Sequence, residues 1–164
     1  MSAVPDQESV VPQPLRVLVV CTGNSARSIL AEAAFRHLGR ATVDVHSAGT
    51  HPKGVNPLSL RALREAGIGA EDLTSDSVTE YLGQPFDYVI TVCDDAREAC
   101  PVFPGARRTL HWSYPDPAAA EGTDEQRLEA FRDVLADLLD RIGRFLPTAE
   151  RLAATPTPTP VEGT

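Results

Sequence analysis

The 164 residues carry a formal net charge of −8 and three cysteines. The length predicts one domain with a substantial core, and the negative charge argues against nucleic acids or membrane surfaces as partners. An odd number of cysteines favours reduced thiols in the cytoplasm over a secreted disulfide framework, and no apolar stretch is long enough to cross a membrane.

The folded unit is predicted to run from residue 15 to residue 146. Residues 1–14 contain three prolines among small and polar residues, which predicts a flexible N-terminal arm. Residues 147–164 end in a Thr/Pro low-complexity segment, which predicts a disordered tail without a catalytic role.

A strand, a short loop and a helix open the folded unit. Residues 15–20 form a mainly apolar run rich in β-branched residues, as in a strand buried on both faces, and residues 28–38 repeat apolar positions at helical spacing. Cys21 opens the loop and Arg27 closes it. Backbone N–H groups of such a loop converge on a tetrahedral anion, while the helix dipole and Arg27 favour the thiolate of Cys21. The pattern therefore predicts attack on a phosphate-like centre; a buried, inert cysteine is the alternative.

The remaining elements alternate between strand and helix. Strands are predicted over residues 42–47, 86–92 and 108–112, and helices over residues 57–66, 75–81 and 123–145. Asn56 is the predicted N-cap of the first of these helices, and Thr123 with Gln126 matches a capping box for the last. This order predicts a four-stranded parallel sheet with helices on both faces. Ligands of such folds bind beyond the carboxyl ends of the strands, where Cys21 lies.

Two further cysteines, Cys93 and Cys100, follow the third strand. If the segment between them is helical, their Cα atoms lie about 10 Å apart, whereas a disulfide needs roughly 4.4–6.8 Å. A disulfide between them therefore requires the segment to unwind, which its few apolar residues and Pro101 favour. Two unrelated buried cysteines are the alternative.

Other side chains fit the same chemistry. Asp116, held between two prolines, is a candidate general acid for a leaving oxygen, with an ordinary Asp-Pro turn as the alternative. Ser28 is placed to donate a hydrogen bond to the Cys21 thiolate. Asn24 is predicted to brace the loop or to occupy a left-handed turn position.

The motif Cys21-Thr-Gly-Asn-Ser-Ala-Arg-Ser28 resembles the low-molecular-weight protein tyrosine phosphatase superfamily, and within it the thioredoxin-coupled arsenate reductases. The segment Cys93-Asp-Asp-Ala-Arg-Glu-Ala-Cys100-Pro101 is similar to the redox segment of those reductases. The resemblance covers residues 17–145 and implies a phosphatase-like fold. It also implies a loop that binds arsenate, with phosphate or sulfate as competing anions, formed by Thr22, Gly23, Asn24, Ser25, Ala26, Arg27 and Ser28.

The resemblance further implies a thiol relay for arsenic detoxification. Cys21 attacks arsenate, Cys93 attacks Cys21 with release of arsenite, and Cys100 attacks Cys93. Thioredoxin then reduces the Cys93–Cys100 disulfide, and Asp116 is the general acid. No cofactor is required, and the protein is expected to be a monomer. Some reductases of this family hold a potassium ion, and the corresponding oxygen ligands are Asn24, Glu32, Ser47, Thr74 and Asp76.

One departure from the family pattern leaves the thiol relay intact. Ala26 stands where several reductases carry a fourth cysteine that is not a redox thiol of the relay, which makes the loop slightly more like that of a phosphatase. Tyrosine phosphatase activity on aryl phosphates, with Cys21, Arg27 and Asp116, is the second hypothesis, and it can coexist with the first because one anion loop accepts arsenate and phosphate alike. A non-enzymatic redox sensor or oxyanion-binding module is the third. The four histidines lack metal-ligand spacing and are interpreted as structural.

Overall fold

The computed structural model describes residues 13–94 and 103–154. Most of the predicted N-terminal arm, the last part of the predicted tail and most of the predicted redox segment, including Cys100, lie outside the described residues.

Four parallel strands form one sheet with the order β2-β1-β3-β4. They are β1 (Leu15–Cys21), β2 (Val43–Gly49), β3 (Phe86–Thr91) and β4 (Ala106–His111), each within two residues of its predicted bounds. The central strand β1 is almost wholly buried because it has a neighbour on each side and packing on each face. Cys21 pairs with Gly49 of β2, and Val20 pairs with Thr91 of β3, so the carboxyl ends of these strands meet at one edge.

Within the described ranges the sheet is accompanied by the helices α1 (Arg27–Gly39), α2 (Pro57–Glu65) and α3 (Asp124–Ala154). Both predicted caps are confirmed. The Asn56 side chain accepts a hydrogen bond from the Leu58 N–H, and the Thr123 and Gln126 side chains each accept one from the other's backbone N–H. The helix predicted over residues 75–81 is a single 3-10 turn, Val78–Tyr81.

Helical structure covers both faces of the sheet, as predicted. Successive side chains of a strand point to opposite faces. On β2, Ser47 donates a hydrogen bond to Glu32 of α1, whereas the preceding His46 contacts the Tyr81 ring, 5.4 Å away between centroids. The helix α1 and the 3-10 turn therefore lie on opposite sides of the sheet.

Aromatic rings join the sheet to α1 and α3. Phe145 of α3 meets Tyr88, Trp112 and Phe35 edge-on, with ring centroids 5.0, 5.1 and 6.1 Å away. These edge-to-face contacts add to the apolar burial that holds α3 against the sheet.

The last helix is longer than the sequence predicted. Residues 147–154 continue α3 instead of starting a disordered tail, and Pro147 lies inside the helix. The apolar stripe continues beyond the proline, since Leu146 and Ala149 are both buried. Packing of this stripe outweighs the one backbone hydrogen bond that Pro147 cannot donate. No helix in the described part of the chain is long and apolar enough to cross a membrane.

Candidate active site

The loop after β1 turns its carbonyl oxygens away from the cleft above it. Residues 50–56 donate backbone N–H groups to four loop carbonyls at 2.8 to 3.1 Å, and these belong to Cys21, Thr22, Gly23 and Ser25. The C=O and N–H of a trans peptide point in opposite directions. The N–H groups that follow these carbonyls therefore face the cleft, where an anion would accept their hydrogen bonds.

Local backbone geometry fits this arrangement. Asn24 adopts a left-handed conformation with φ of 45°, which is the turn position that the sequence predicted as one of two roles for it. Ala26 at the N-cap of α1 has no side chain that could accept a hydrogen bond, so the free N–H groups of the first turn are left for a ligand. Gly49 allows the close approach of β2, because a Cβ there would lie 2.5 Å from the Thr22 carbonyl oxygen.

Arg27 lines the cleft and has one donor without a partner. One terminal nitrogen, Nη1, donates to the Tyr114 carbonyl at 3.1 Å, and the other, Nη2, lies 3.8 Å from a carboxylate oxygen of Asp116. The Nε atom is buried and has no hydrogen-bond partner among the described residues. A buried guanidinium N–H is costly to leave unpaired, and a tetrahedral anion in the cleft is a fitting acceptor.

A hydrogen-bond chain reaches the sulfur of Cys21. The Asn24 amide donates to Ser28 Oγ at 2.8 Å, and Ser28 Oγ lies 2.9 Å from Cys21 Sγ. Ser28 Oγ accepts from Asn24 and still has one proton and a second lone pair, so either atom of the Ser28–Cys21 pair can be the donor, and Ser28 donates when the sulfur is a thiolate. Ser28 and Asn24 thus take the positions predicted for them, and Asn24 both braces the loop and adopts the left-handed turn.

The second thiol lies beside the loop. Cys93 Sγ is 3.3 Å from Thr22 Oγ1, and both Cys93 and Cys21 are buried. Cys93 follows β3 by two residues, so the parallel register brings it to the same sheet edge as Cys21. The structure therefore places two of the three predicted thiols at the same sheet edge, with Cys93 against the residue that follows Cys21, while the third, Cys100, lies outside the described residues.

Asp116 stands at the mouth of the cleft. One of its carboxylate oxygens accepts the Ala118 N–H at 3.0 Å and caps a 3-10 turn, Pro117–Ala119, while the other faces Arg27. The side chain is partly exposed, at 39%. Asp116 therefore fits both predicted alternatives, since it forms the turn and also lines the cleft.

The five predicted potassium ligands form a connected cluster beneath the loop. Asn24 accepts from the Asp76 backbone N–H and donates to Ser47, Ser47 donates to Glu32, and Thr74 donates to Asp76. Burial raises the pKa of Glu32, against the lowering effects of Ser47 and Arg36. This buried carboxylate among amide and hydroxyl oxygens has the donor chemistry that an alkali cation prefers.

Lys53 and His51 also line the cleft, and the sequence reasoning missed both. The Lys53 stem packs on Gly23, where a Cβ would lie 2.8 Å from Lys53 Cε. Lys53 has no ion pair within the described ranges, and it is the only lysine in the chain. The presence of a single lysine is the signal by which the sequence could have pointed to this position. The cleft, of about 310 Å³, has room beyond one tetrahedral anion.

Comparison with known proteins adds to this geometry. Residues 16–155 match the family of low molecular weight phosphotyrosine protein phosphatases. An arsenate reductase of Halalkalibacterium halodurans is 41% identical over 135 residues, covering 82% of this chain and 96% of that protein.

Solved structures give the same picture. A thioredoxin-dependent arsenate reductase of Corynebacterium glutamicum has a TM-score of 0.66 at 29% identity, covering 90% of this chain and 67% of that chain. The structure of an arsenate reductase in the phosphate binding state has a TM-score of 0.65 at 26% identity, covering 82% and 98%.

Proposed function

The chain belongs to the low molecular weight phosphotyrosine protein phosphatase family, and we propose that within it the protein is a thioredoxin-dependent arsenate reductase. One observation carries the proposal beyond the family: a second buried thiol, Cys93, lies against the loop that holds Cys21. A phosphatase needs only the first thiol, whereas reduction of arsenate needs two electrons and therefore two thiols.

The first step is the formation of a covalent arsenate adduct. The loop N–H groups and Arg27 bind arsenate, and the Cys21 thiolate attacks the arsenic atom. The sulfur–arsenic bond forms as one arsenic–oxygen bond breaks, and Asp116 supplies the proton with which that oxygen leaves as water. Arsenic remains in its pentavalent state.

The second step reduces the arsenic. The Cys93 thiolate attacks Cys21 Sγ, a disulfide forms, and the sulfur–arsenic bond breaks with its electron pair passing to arsenic. Trivalent arsenite leaves. Cys100 then attacks Cys93 and releases the Cys21 thiolate, so that the oxidising equivalents reside in a Cys93–Cys100 disulfide.

Thioredoxin is the proposed reductant of that disulfide. The thioredoxin-dependent structural relative supports this partner, and arsenate with phosphate or sulfate as competitors are the proposed anions. A thiol relay of this kind operates in a reducing compartment, so the cytoplasm is the proposed location of the protein. Its proposed oligomeric state is a monomer.

Hydrolysis of aryl phosphates is a second activity that the site supports. Cys21, Arg27 and Asp116 are the nucleophile, anion ligand and acid such hydrolysis needs, and the cleft has room for a leaving group. The family match supports this as a coexisting activity.

Potassium is the proposed ion of the oxygen cluster beneath the loop. Glu32, Ser47 and Asn24, with Thr74 and Asp76, would hold it, and its charge would add to that of Arg36, which already forms an ion pair with the buried carboxylate of Glu32. The Asn24 amide that braces Ser28 would be held more firmly as a result.

NADPH consumption in a coupled assay tests the proposal. The reduced protein is mixed with arsenate, thioredoxin, thioredoxin reductase and NADPH, and parallel reactions omit thioredoxin or replace arsenate with an aryl phosphate. We expect oxidation that depends on both arsenate and thioredoxin. Brisk aryl phosphate hydrolysis without NADPH oxidation would show a phosphatase with a regulatory thiol pair instead.

Cysteine variants separate the two activities. Cys21→Ser is expected to abolish both, because each begins with the same nucleophile. Cys100→Ser is expected to abolish multiple turnover of arsenate, because the Cys21–Cys93 disulfide cannot pass on, while aryl phosphate hydrolysis continues. Full thioredoxin-linked turnover by Cys100→Ser would contradict the relay.

A further inference from the structure

His111, the last residue of β4, connects the chain on the two sides of Cys93. Its Nδ1 lies 2.7 Å from Thr91 Oγ1, and its Nε2 lies 2.8 Å from Asp94 Oδ1. Ser113 Oγ donates to the same carboxylate oxygen at 3.4 Å. Thr91 and Asp94 lie on either side of Cys93 in the sequence, so the His111 imidazole contacts the chain both before and after this cysteine.

The hydrogen-bond partners of His111 determine which of its ring nitrogens carries a hydrogen. An ionised carboxylate only accepts hydrogen bonds, so Nε2 carries a hydrogen and donates it to Asp94. The Thr91 hydroxyl can donate to the other nitrogen of a neutral ring or accept from a charged one. The contact with Asp94 is present in both cases, and the side chain of His111 is mostly buried, at 20% exposure.

The backbone fixes the other side of the same cysteine. The Val92 N–H donates to the Val20 carbonyl at 2.9 Å, and the Val92 carbonyl accepts the Tyr114 N–H at 3.2 Å. These bonds hold the residue before Cys93 to the sheet. The contact between His111 and Asp94 holds the residue after it, so Cys93 lies between two points of attachment.

We propose that His111 is a positioning residue for the second thiol exchange: by holding Asp94, it keeps Cys93 Sγ beside Thr22, the residue that follows Cys21. The inference rests on the proposed function, in which Cys93 attacks Cys21. A thiol held near its target reacts at high effective concentration, and misplacement by about 1 Å can slow such a step by up to 100-fold. Arsenate binding and the first attack use other residues and do not depend on His111.

The test measures formation of the Cys21–Cys93 disulfide in single-turnover reactions, in a Cys100→Ser background that traps it. His111→Asn is too short to reach Asp94, whereas His111→Gln places an amide N–H near the position of Nε2. We expect His111→Asn and Asp94→Ala to slow disulfide formation about tenfold, and His111→Gln to remain within about threefold of the parent. His46→Asn removes a comparable contact, His46 Nε2 to Asp44 at 3.1 Å, and is the matched control.

A second readout separates positioning from general damage. Aryl phosphate hydrolysis uses the loop, Cys21 and Asp116 but not Cys93, so its kcat and KM, together with Tm, are expected to stay at parent values in His111→Asn. Disulfide formation at the parent rate in both His111→Asn and Asp94→Ala would overturn the proposal. So would a loss of aryl phosphate hydrolysis in proportion to the slower disulfide formation.

The same variants are also oxidised with diamide, which forms the disulfide without arsenate. If the parent forms the disulfide with diamide but not with arsenate, the proposed reductase function fails while the positioning role is still measured. If diamide oxidises His111→Asn as fast as the parent, the positioning role fails whatever arsenate does.

Discussion

At the scale of single residues, the site is built from buried donors that await an acceptor. Arg27 Nε is buried without a partner in the described part of the chain, and Ser28 Oγ, which accepts from the Asn24 amide, lies 2.9 Å from Cys21 Sγ and can donate to its thiolate. Each donor is held before any anion arrives, so little reorganisation is needed on binding. Lys53 differs, since it is exposed and reaches the cleft on a flexible stem.

Replacing Lys53 tests whether this single cation assists arsenate binding. Lys53→Met is expected to raise KM for arsenate about fivefold with kcat within twofold, because one exposed cation at an open site contributes roughly 1 kcal/mol. Initial rates over a range of arsenate concentrations measure both constants. Lys53→Arg keeps the charge and is expected to restore KM; equal KM values in all three proteins would contradict the role.

Potassium binding at Glu32 is expected to depend on pH. Burial raises the pKa of Glu32 above its ordinary value of 4.5, so the stability contributed by the protonated form is complete below that value and is lost as pH rises through the folded-state pKa. A cation that offsets the ionised carboxylate stabilises the fold most at neutral pH.

Thermal unfolding measures this effect. At pH 7.5, exchanging sodium for potassium at constant ionic strength is expected to raise Tm by about 3 °C, the shift for roughly 1 kcal/mol in a chain of this size. The rise is expected to vanish near pH 4 and in Glu32→Gln. An equal rise in Glu32→Gln would show that potassium acts elsewhere.

At the scale of elements, the end of α3 shows how packing overrides a local signal. Pro147 is a strong helix breaker and predicted the end of the helix, yet Ala149 lies two residues later with 1% of its surface exposed. The apolar stripe of α3 continues to that residue, and burial of the stripe stabilises the last turns.

A charged residue at this position tests the packing. Ala149→Asp is expected to lower the free energy of unfolding by at least about 2 kcal/mol, because it buries an unpaired carboxylate. Thr148→Asp, at the exposed neighbouring position, is the control and is expected to change it by less than about 0.5 kcal/mol. Urea denaturation measures both; similar small effects would show that the last turns are not packed in solution.

At the scale of the whole molecule, the net charge of −8 opposes the approach of an anion that the site itself attracts. Distant surface carboxylates act over lengths that salt screens, since the Debye length is about 10 Å at 0.1 M. Arg27 and Lys53 act at close range and are screened less.

Single-turnover rates at limiting arsenate test this balance. Raising NaCl from about 10 mM to about 100 mM is expected to increase the rate up to about threefold, because salt removes the long-range repulsion first. Omitting thioredoxin keeps its own charge out of the measurement. A rate that falls with salt would instead show that local attraction controls arsenate capture.

The sequence by itself determined the secondary-structure elements of this protein and pointed to its candidate nucleophile. Strand-like apolar runs that alternate with helical patterns predicted four parallel strands. Asn56 and Thr123 marked the starts of helices, and Cys21 with Arg27 marked the anion loop. These signals depend only on residues that are neighbours in the sequence. Tertiary structure decided what depends on distant contacts. Helix α3 passes Pro147 through packing on the sheet, Thr22 meets Cys93 because β1 and β3 end together, and His111 reaches Asp94 from β4. No local pattern encodes such pairs, since folding brings together residues that lie far apart in the chain.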